Sequence, residues 1–300
     1  MTSKPLVSVI LPTYKTNDSL IDSINSVLNQ SFDNFEVIIV DDNDPDTPYR
    51  RNAEKIIKKY SSNEKIVYIK HEKNMNGAVA RNTGFKVSKG EFICFLDDDD
   101  IFLKDKLRMQ VNYLNENPHF QGVYCWRFQN GEIVSNEKVG DLSEELLSLS
   151  FTPYTSSIMI KRDCYKRLNG FDESYRRHQD FEFLLRFFEY YSIGVVKECL
   201  IEIRGNEVNN ALSGRKLEGL KKQFLREFSD HIDKIEENKS GFRKTVVAEH
   251  YAPVFWSYVK QHSFFTAITV FIKYSLKCKN AFWKSTLNHL IVYTKLRKKK

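Results

Sequence analysis

The stretch Glu91–Asp100 has the sequence Glu-Phe-Ile-Cys-Phe-Leu-Asp-Asp-Asp-Asp. Its apolar run, residues 92–96, lies between Lys89-Gly90 and four consecutive carboxylates. A short continuous apolar run of this kind is typical of a β-strand that is buried on both faces of a sheet. The stretch therefore predicts a central strand that delivers four acids to one edge of the fold.

Four adjacent carboxylates need a positive charge nearby. Each close pair of carboxylates repels by roughly 1 kcal/mol even in water, and burial increases this cost. A divalent cation with oxygen ligands meets the need. The alternative, which an acidic run by itself leaves open, is a solvated turn.

The composition is that of an ordinary globular chain. Its 300 residues are 41% hydrophobic and 28% charged, which predicts one large domain or a domain with an appendage. Five widely spaced cysteines without a Cys-x-x-Cys pair argue against a disulfide framework or a zinc site, and favour a reducing cytoplasm. We find no secretory signal and no run of about 18 to 20 apolar residues, so we expect no spanning helix.

The net charge of +7 is unevenly distributed. Residues 261–300 contain nine basic and no acidic side chains, so the preceding 260 residues carry a net charge of −2. Basicity that is confined to the tail argues against a nucleic-acid-binding core.

Strands and helices alternate through the first hundred residues. The predicted strands cover residues 6–11, 35–40, 65–70 and 92–96, and the predicted helices cover residues 20–28, 53–60 and 78–87. Such alternation predicts a parallel sheet with right-handed crossovers. The elements after residue 120 are less regular, with a strand at 122–128 and a hairpin turn at Asn130-Gly131.

Polar side chains follow these strands at the carboxyl edge of the predicted sheet, where open α/β sheets bind ligands. They belong to Pro12–Tyr14, to Asp41 and Asp42, and to Asp97–Asp100. A loop that cradles phosphates needs glycine, and residues 11–15 have none, so an ordinary dinucleotide fold is not expected. A cation at Asp97–Asp100 would instead neutralise a diphosphate, and Asp41 or Asp42 would accept a hydrogen bond from a base or ribose.

Five segments, in this order and spacing, resemble the family 2 glycosyltransferases with a GT-A fold. The segments are Val7–Tyr14, Val40–Asp42, Gly77–Gly84, Lys89–Phe92 and Phe95–Asp100. The resemblance implies an α/β fold with a Rossmann-like, mostly parallel sheet flanked by helices. It also implies inverting transfer of a sugar from a nucleotide diphosphate donor, usually a UDP-sugar, helped by Mg²⁺ or Mn²⁺. We expect a catalytic domain at residues 1–215 and a helical, basic, aromatic-rich extension at 216–300.

The resemblance also implies roles by position. The nucleotide-sugar site would comprise Pro12, Thr13, Tyr14, Asp41, Asp42, Arg81, Asp97 and Asp98. Asp97 and Asp99 fill the acidic places of the family's Asp-x-Asp motif, with Asp99 the expected direct metal ligand. Arg81 would bind a phosphate oxygen or pair with a core acid.

The expected general base is Asp180, which follows a Gly-Phe-Asp-Glu turn at residues 170–173. Relatives more often have Glu-Asp where this chain has Gln179-Asp180, and we interpret His178 as a packing or surface residue. Arg204 stands where many relatives have a histidine and would supply charge to the leaving diphosphate. The Gln-x-x-Arg-Trp motif of processive synthases is absent, which favours one sugar per encounter.

Two other functions are open at this point. Asp97-x-Asp99 after an apolar strand is similar to the nucleophile motif of haloacid-dehalogenase-like phosphatases, although Ile101 replaces their Thr or Val. A non-catalytic nucleotide-sugar-binding module is the other alternative. Asp99 together with Asp180 argues against it, because a pure binder needs no base.

The extension predicts helices with broad apolar faces, interrupted by lysines at 273, 277, 279 and 284. Basic and aromatic residues without acids are typical of an interfacial helix on an anionic membrane. We therefore expect a cytoplasmic protein, peripheral on the inner membrane, with a saccharide or lipid-linked saccharide acceptor in bacterial surface-polysaccharide assembly. The alternative is a helical hairpin that packs on the catalytic domain or on a second subunit in a homo-oligomer.

Overall fold

A computed structural model describes residues 6–204 and 212–298, with side chains through residue 291. Within these residues the chain forms two compact units. The first comprises residues 6–143 and 153–204, and the second comprises 144–152 and 212–298. The predicted boundary at residues 215 and 216 falls inside the helix Gly214–Glu227 and stays a prediction.

One mixed sheet forms the centre of the first unit. Its strands in the described residues are β1 (Val7–Thr13), β2 (Phe35–Asp41), β3 (Ile66–Lys70), β4 (Phe92–Phe95), β5 (Ile101–Phe102), β6 (Gly122–Gln129), β7 (Glu132–Val134), β8 (Met159–Lys161) and β9 (Ile193–Ile203). Their order is β3-β2-β1-β4-β8-β6-β9-β5, with β7 paired to β6. The pairs β3-β2, β2-β1 and β1-β4 are parallel, as the alternation predicts.

The second half of the sheet departs from strict alternation. The strand β8 lies antiparallel between β4 and β6, and β5 and β7 are also antiparallel to their partners. The hairpin predicted at Asn130-Gly131 joins β6 to β7. A 3₁₀ turn at Thr155–Ser157 precedes β8.

Helices cover the sheet. Those of the first unit are α1 (Ser19–Leu28), α2 (Pro48–Lys58), α3 (Gly77–Val87), α4 (Lys106–Glu116), α6 (Arg162–Arg167) and α7 (Gln179–Phe188), whereas α5 (Ser143–Leu147) lies almost wholly in the second unit. All seven residues of β2 are buried, and α1 buries Leu20, Ile24 and Val27 in the same core cluster. Burial of apolar surface at about 25 cal/mol per Å² is the main stabilising term for such a layer.

The helix α3 lies unusually close to the sheet, because it presents Gly84 to β1 and β2. A Cβ atom at Gly84 would lie 2.5 Å from Ile10 Cγ2 and 3.3 Å from Val40 Cγ2. We expect Gly84→Ala to lower the free energy of unfolding by about 1–3 kcal/mol, since the core has no room for the methyl group. Denaturant unfolding followed by circular dichroism measures the change.

Gly219→Ala is the matched control for this substitution. Gly219 lies in the helix Gly214–Glu227, and a Cβ atom there would meet nothing within 4 Å. Alanine at an open helical position is expected to stabilise by roughly 0.5–1 kcal/mol. Equal stability of Gly84→Ala and the parent protein would contradict the close packing of α3.

The second unit is helical. Its helices are α8 (Gly214–Glu227), α9 (Ser229–Asn238), α10 (Phe242–Lys260), α11 (Phe264–Cys278) and α12 (Asn280–Lys298). The core of α10, α11 and α12 is rich in aromatic rings, and Tyr251 stacks on Tyr274 at 3.8 Å between ring centroids. His250 Nε2 lies 3.0 Å from the carbonyl oxygen of Leu147, which ties the segment 144–152 to this unit. Among the described helices, none has both the length and the apolarity to cross a bilayer.

Candidate active site

The carboxyl ends of β1, β2 and β4 bring the predicted site residues to one edge. Thr13 of β1 is in register with Asp41 of β2, and the acidic loop follows β4 beside them. The Thr13 hydroxyl donates to the Asp98 carboxylate. Ser19 donates to the carbonyl oxygen of Asp98 at 2.8 Å. The first loop and the acids therefore form one structure, as the sequence predicts.

The four acids of the loop have different partners. Asp97 pairs with Arg81, and Asp98 accepts from Thr13. Buried Asp100 accepts from Ser156 at 2.7 Å and from the backbone N–H of Arg204 at 3.3 Å. Among the described residues, only the backbone N–H of Asp99 itself bonds the Asp99 carboxylate. Asp99 is thus the acid most available to a ligand.

Burial makes three of these carboxyls resist ionisation. It raises the pKa of Asp98 to about 7, although the Thr13 hydroxyl opposes the shift. The pKa values of Asp99 and Asp100 are also raised, first by burial and then by repulsion from Asp97. A cation that binds here would lower these pKa values and relieve the repulsion.

These oxygen donors fit a Mg²⁺ or Mn²⁺ ion that is bound partly by the protein and partly by substrate phosphates and water. Among the residues that the structure describes, no three His, Cys, Asp or Glu side chains are grouped to hold a metal by themselves. Mg²⁺ is commonly bound by one or two carboxylates together with substrate phosphates and water. Half-buried Asp99, with Asp97 beside it, matches that mode. The assignment of these two residues to a metal stays a prediction.

Asp41 and Asp42 are buried, and protein groups occupy their oxygens. Asp41 accepts from Tyr68 and from both nitrogens of Asn43, and its second oxygen lies 3.2 Å from Arg50 Nε. A carboxylate offers about four acceptor positions, so Asp41 has little capacity for a ligand.

Asp42 is held just as fully. It lies 2.7 Å from His71 Nδ1 and accepts from Asn74 Nδ2 and from the backbone N–H groups of Met75 and Asn76. Both acids order the loops beyond β2 and β3, and their direct contact with a base or ribose stays a prediction. Sequence reasoning missed His71 and Asn74, although they follow β3 at the same carboxyl edge.

Tyr14 extends into solvent at this edge. Its side chain is 46% exposed, and Lys15 Nζ lies 5.6 Å from its ring centroid. The backbone of Lys15 donates to Asn43 at 2.7 Å, which ties the loop after β1 to the loop after β2. An exposed aromatic ring in an ordered loop is suited to stack on a nucleobase.

Asp180 occupies the first turn of α7. Its carboxylate accepts from the backbone N–H of Phe181 at 3.0 Å. Burial raises the pKa of Asp180 to about 6, while nearby Arg81 lowers it. His178 precedes the helix with φ of 60°, and its ring packs 5.0 Å from Phe181, in keeping with a packing role.

Arg81 connects the acidic loop to the helix that carries Asp180. Its Nη2 atom bonds Asp97, and its Nη1 atom donates to Gln179 Oε1 at 2.7 Å. Gln179 is buried and donates in turn to the carbonyl oxygen of Tyr175 at 2.9 Å. Of the two roles open to Arg81 from sequence, the structure displays pairing with an acid.

Arg204 is engaged at the surface by two carboxylates. Its guanidinium bonds Glu202 at 2.9 Å and Asp22 at 3.4 Å. Its backbone N–H, rather than its side chain, reaches the acidic loop. Residues 205–211, which follow Arg204 in the sequence, lie outside the described residues.

The profile described as "Glycosyl transferase family 2" matches residues 8–186. This span covers more than half of the chain and includes Asp41, Asp42, Asp97–Asp100 and Asp180. The chain belongs to glycosyl transferase family 2. Membership agrees with the resemblance in the sequence and argues against a haloacid-dehalogenase-like phosphatase.

Curated relatives of the family support this placement. An uncharacterised glycosyltransferase of Methanocaldococcus jannaschii is 33% identical over 220 residues, or 70% of this chain and 74% of that protein. The putative teichuronic acid biosynthesis glycosyltransferase TuaG of Bacillus subtilis is 33% identical over 74% of this chain and 87% of its own length. The amylovoran biosynthesis glycosyltransferase AmsB of Erwinia amylovora is 33% identical over 60% of this chain, but the match spans 62% of AmsB.

Solved structures of S. aureus TarS share the fold. Residues 1–349 of S. aureus TarS in complex with UDP match with a TM-score of 0.59 and 19% identity, over 93% of this chain and 91% of that one. The same protein in complex with UDP-GlcNAc matches with a TM-score of 0.59 and 18% identity, over 83% and 81%. This likeness confirms the predicted GT-A type of α/β fold with a C-terminal helical region.

Proposed function

We propose that this family 2 member is an inverting, metal-dependent enzyme that moves one hexosyl or N-acetylhexosaminyl group from a UDP-sugar to a saccharide or lipid-linked saccharide. The observation that carries the proposal is the bridge Asp97-Arg81-Gln179, in which Arg81 and Gln179 are buried and which joins the acidic loop to the residue directly before the base candidate Asp180. These contacts support the proposal that a donor site at the acidic loop and a proton acceptor at Asp180 act together.

The donor assignment is supported by both geometry and relatives. The exposed ring of Tyr14 and the acidic loop lie at the same strand ends. TarS has been solved with UDP and with UDP-GlcNAc, and TuaG and AmsB are named for polysaccharide biosynthesis. We infer a UDP-sugar donor and an acceptor in a bacterial surface polysaccharide, such as a capsule or lipopolysaccharide.

In the proposed reaction, Asp180 removes the proton from an acceptor hydroxyl while the acceptor oxygen attacks the anomeric carbon. The bond from that carbon to the diphosphate breaks in the same step, with inversion. A divalent cation bound through Asp99 and Asp97 would supply positive charge to the departing diphosphate. A pKa of about 6 leaves Asp180 ionised at neutral pH and more basic than an ordinary aspartate.

Arg81 and Gln179 act in this scheme as positioning residues. The Arg81 guanidinium holds Asp97 of the acidic loop and also holds Gln179, the first residue of α7, which directly precedes Asp180. A lipid-linked acceptor would bring the enzyme to the cytoplasmic face of the inner membrane.

A nucleotide-release assay tests the proposal. We expect UDP release from UDP-glucose, UDP-galactose or their N-acetyl analogues in the presence of Mn²⁺ or Mg²⁺, at least about tenfold faster than after chelation. GDP-mannose, under identical conditions, is the control donor. Release from GDP-mannose alone would contradict the donor assignment, and UDP binding without release from any donor would favour a non-catalytic module.

A further inference from the structure

The helices α11 and α12 each expose a stripe of large apolar side chains. These are Phe264, Phe265, Ile268, Ile272, Leu276, Trp283, Leu287 and Leu290. Phe265 is 92% exposed and Leu276 is 76% exposed. Within each helix the spacing is mostly three or four residues, which places them on one side.

The opposite sides of both helices are already used for packing. On α11, Ala267, Val270 and Tyr274 are buried, and on α12, Phe282 and Ser285 are buried. Tyr274 stacks on Tyr251 of α10, so the rotation of α11 about its axis is determined. The exposed apolar side chains are therefore a second face of each helix and not an incomplete part of the core.

Basic side chains border the exposed apolar residues. Lys273, Lys277 and Lys284 are exposed, and residues 261–291 contain no acid. A step of about 100° per residue places Lys273 and Lys277 beside Leu276, between the apolar stripe and the packed side. Further basic residues at 295 and 297–300 lie outside the described side chains.

We propose that this apolar–basic face, formed by the eight apolar side chains above with Lys273, Lys277 and Lys284, binds an anionic lipid surface. Aromatic and aliphatic groups enter the boundary between headgroups and acyl chains, while the lysines contact lipid phosphates. The face has one sign of charge, so two copies that pair through it would bring lysines together without acids from this segment to balance them. A lipid surface supplies both the apolar layer and the negative charge.

The inference rests on the proposed function and deepens it, since it names the surface on which the enzyme would meet a lipid-linked acceptor.

Co-sedimentation of the full chain with vesicles tests it. We expect binding to vesicles of phosphatidylcholine with phosphatidylglycerol, little binding to phosphatidylcholine alone, and release at high salt. Phe265→Ser with Leu276→Ser is expected to weaken binding about tenfold or more. Lys273→Glu with Lys277→Glu is expected to do the same at low salt only.

Ile133→Ser with Val139→Ser is the matched control. Both residues are exposed apolar side chains of the first unit, 59% and 48% exposed, and their loss is expected to leave vesicle binding unchanged. Circular dichroism checks that each variant folds, and UDP release from a soluble donor reports the transferase separately from lipid binding. Equal sedimentation of the parent and the Phe265/Leu276 variant would overturn the proposal. A second outcome would also overturn it: the parent does not bind vesicles, and light scattering shows an oligomer that the Phe265/Leu276 substitutions dissociate. A second copy of the chain would then cover the face.

Discussion

Replacement of Asp180 by asparagine is expected to reduce sugar transfer by about 100-fold or more and to leave UDP affinity nearly unchanged. Asparagine keeps the shape of the side chain and its hydrogen bond from Phe181 but cannot accept a proton. Nucleotide release under saturating donor measures the loss, and calorimetry with UDP measures the affinity.

The pH dependence of the parent enzyme provides a second test of Asp180. Burial raises the pKa of Asp180 to about 6, so the carboxyl is protonated below that pH and cannot act as a base. We expect kcat/KM to rise with pH through about 6 and then level off. The residual activity of Asp180→Asn is expected to lack this rise.

Asp172→Asn is the control for Asp180→Asn. Asp172 is an exposed acid in the turn before α7, and the substitution is chemically identical. Full activity of Asp180→Asn would place the base elsewhere. Loss of turnover in Asp172→Asn would then identify the alternative, since Glu182 is committed to Arg186.

Replacement of Asp99 by alanine is expected to weaken UDP binding in the presence of Mn²⁺ by about 100-fold or more. Mutation of residues that only hydrogen-bond a metal's ligands commonly lowers metal affinity by about 10–100-fold. Loss of a direct ligand is therefore expected to lower it by about 100-fold or more. The fold is expected to persist, because Asp99 is half-buried beyond a strand end and its carboxylate bonds no other described residue.

Calorimetry with UDP in the presence of Mn²⁺, and again in the presence of a chelator, separates the metal-dependent from the metal-independent part of UDP binding. We expect the parent to lose affinity on chelation and Asp99→Ala to show the same low affinity under both conditions. Glu64→Ala, which removes an exposed carboxylate from a loop, is the control and is expected to behave as the parent. Unchanged, Mn²⁺-dependent affinity in Asp99→Ala would remove this residue from the metal site.

Much of the first unit was predictable from local sequence. The apolar runs that become β1, β2 and β4 are uninterrupted, and each ends in polar residues at the carboxyl edge. The need for glycine at position 84 became visible only in the structure, where a Cβ atom would lie 2.5 Å from Ile10 Cγ2. The predicted meeting of Thr13 with the acidic loop followed from parallel pairing alone.

Other features depended on tertiary contacts. The sequence does not show that Arg81 bonds Gln179, because the two residues lie 98 positions apart and meet only in the folded chain. The hydrogen bonding of Asp41 and Asp42 was equally hidden, since Tyr68 of β3 and His71 beyond it reach the two acids only when β3 pairs with β2.

The parallel half of the sheet, the acids at its edge and the amphipathic character of the last helices could all be inferred from local sequence. Tertiary structure alone decided the antiparallel insertion of β8, the partner of each acid and which stripe of α11 and α12 faces outward. The difference lies in the sequence separation of the residues that interact. Hydrophobic period and strand-end chemistry are properties of neighbouring residues, whereas partners of buried charges and the rotation of a helix are selected by packing between distant segments.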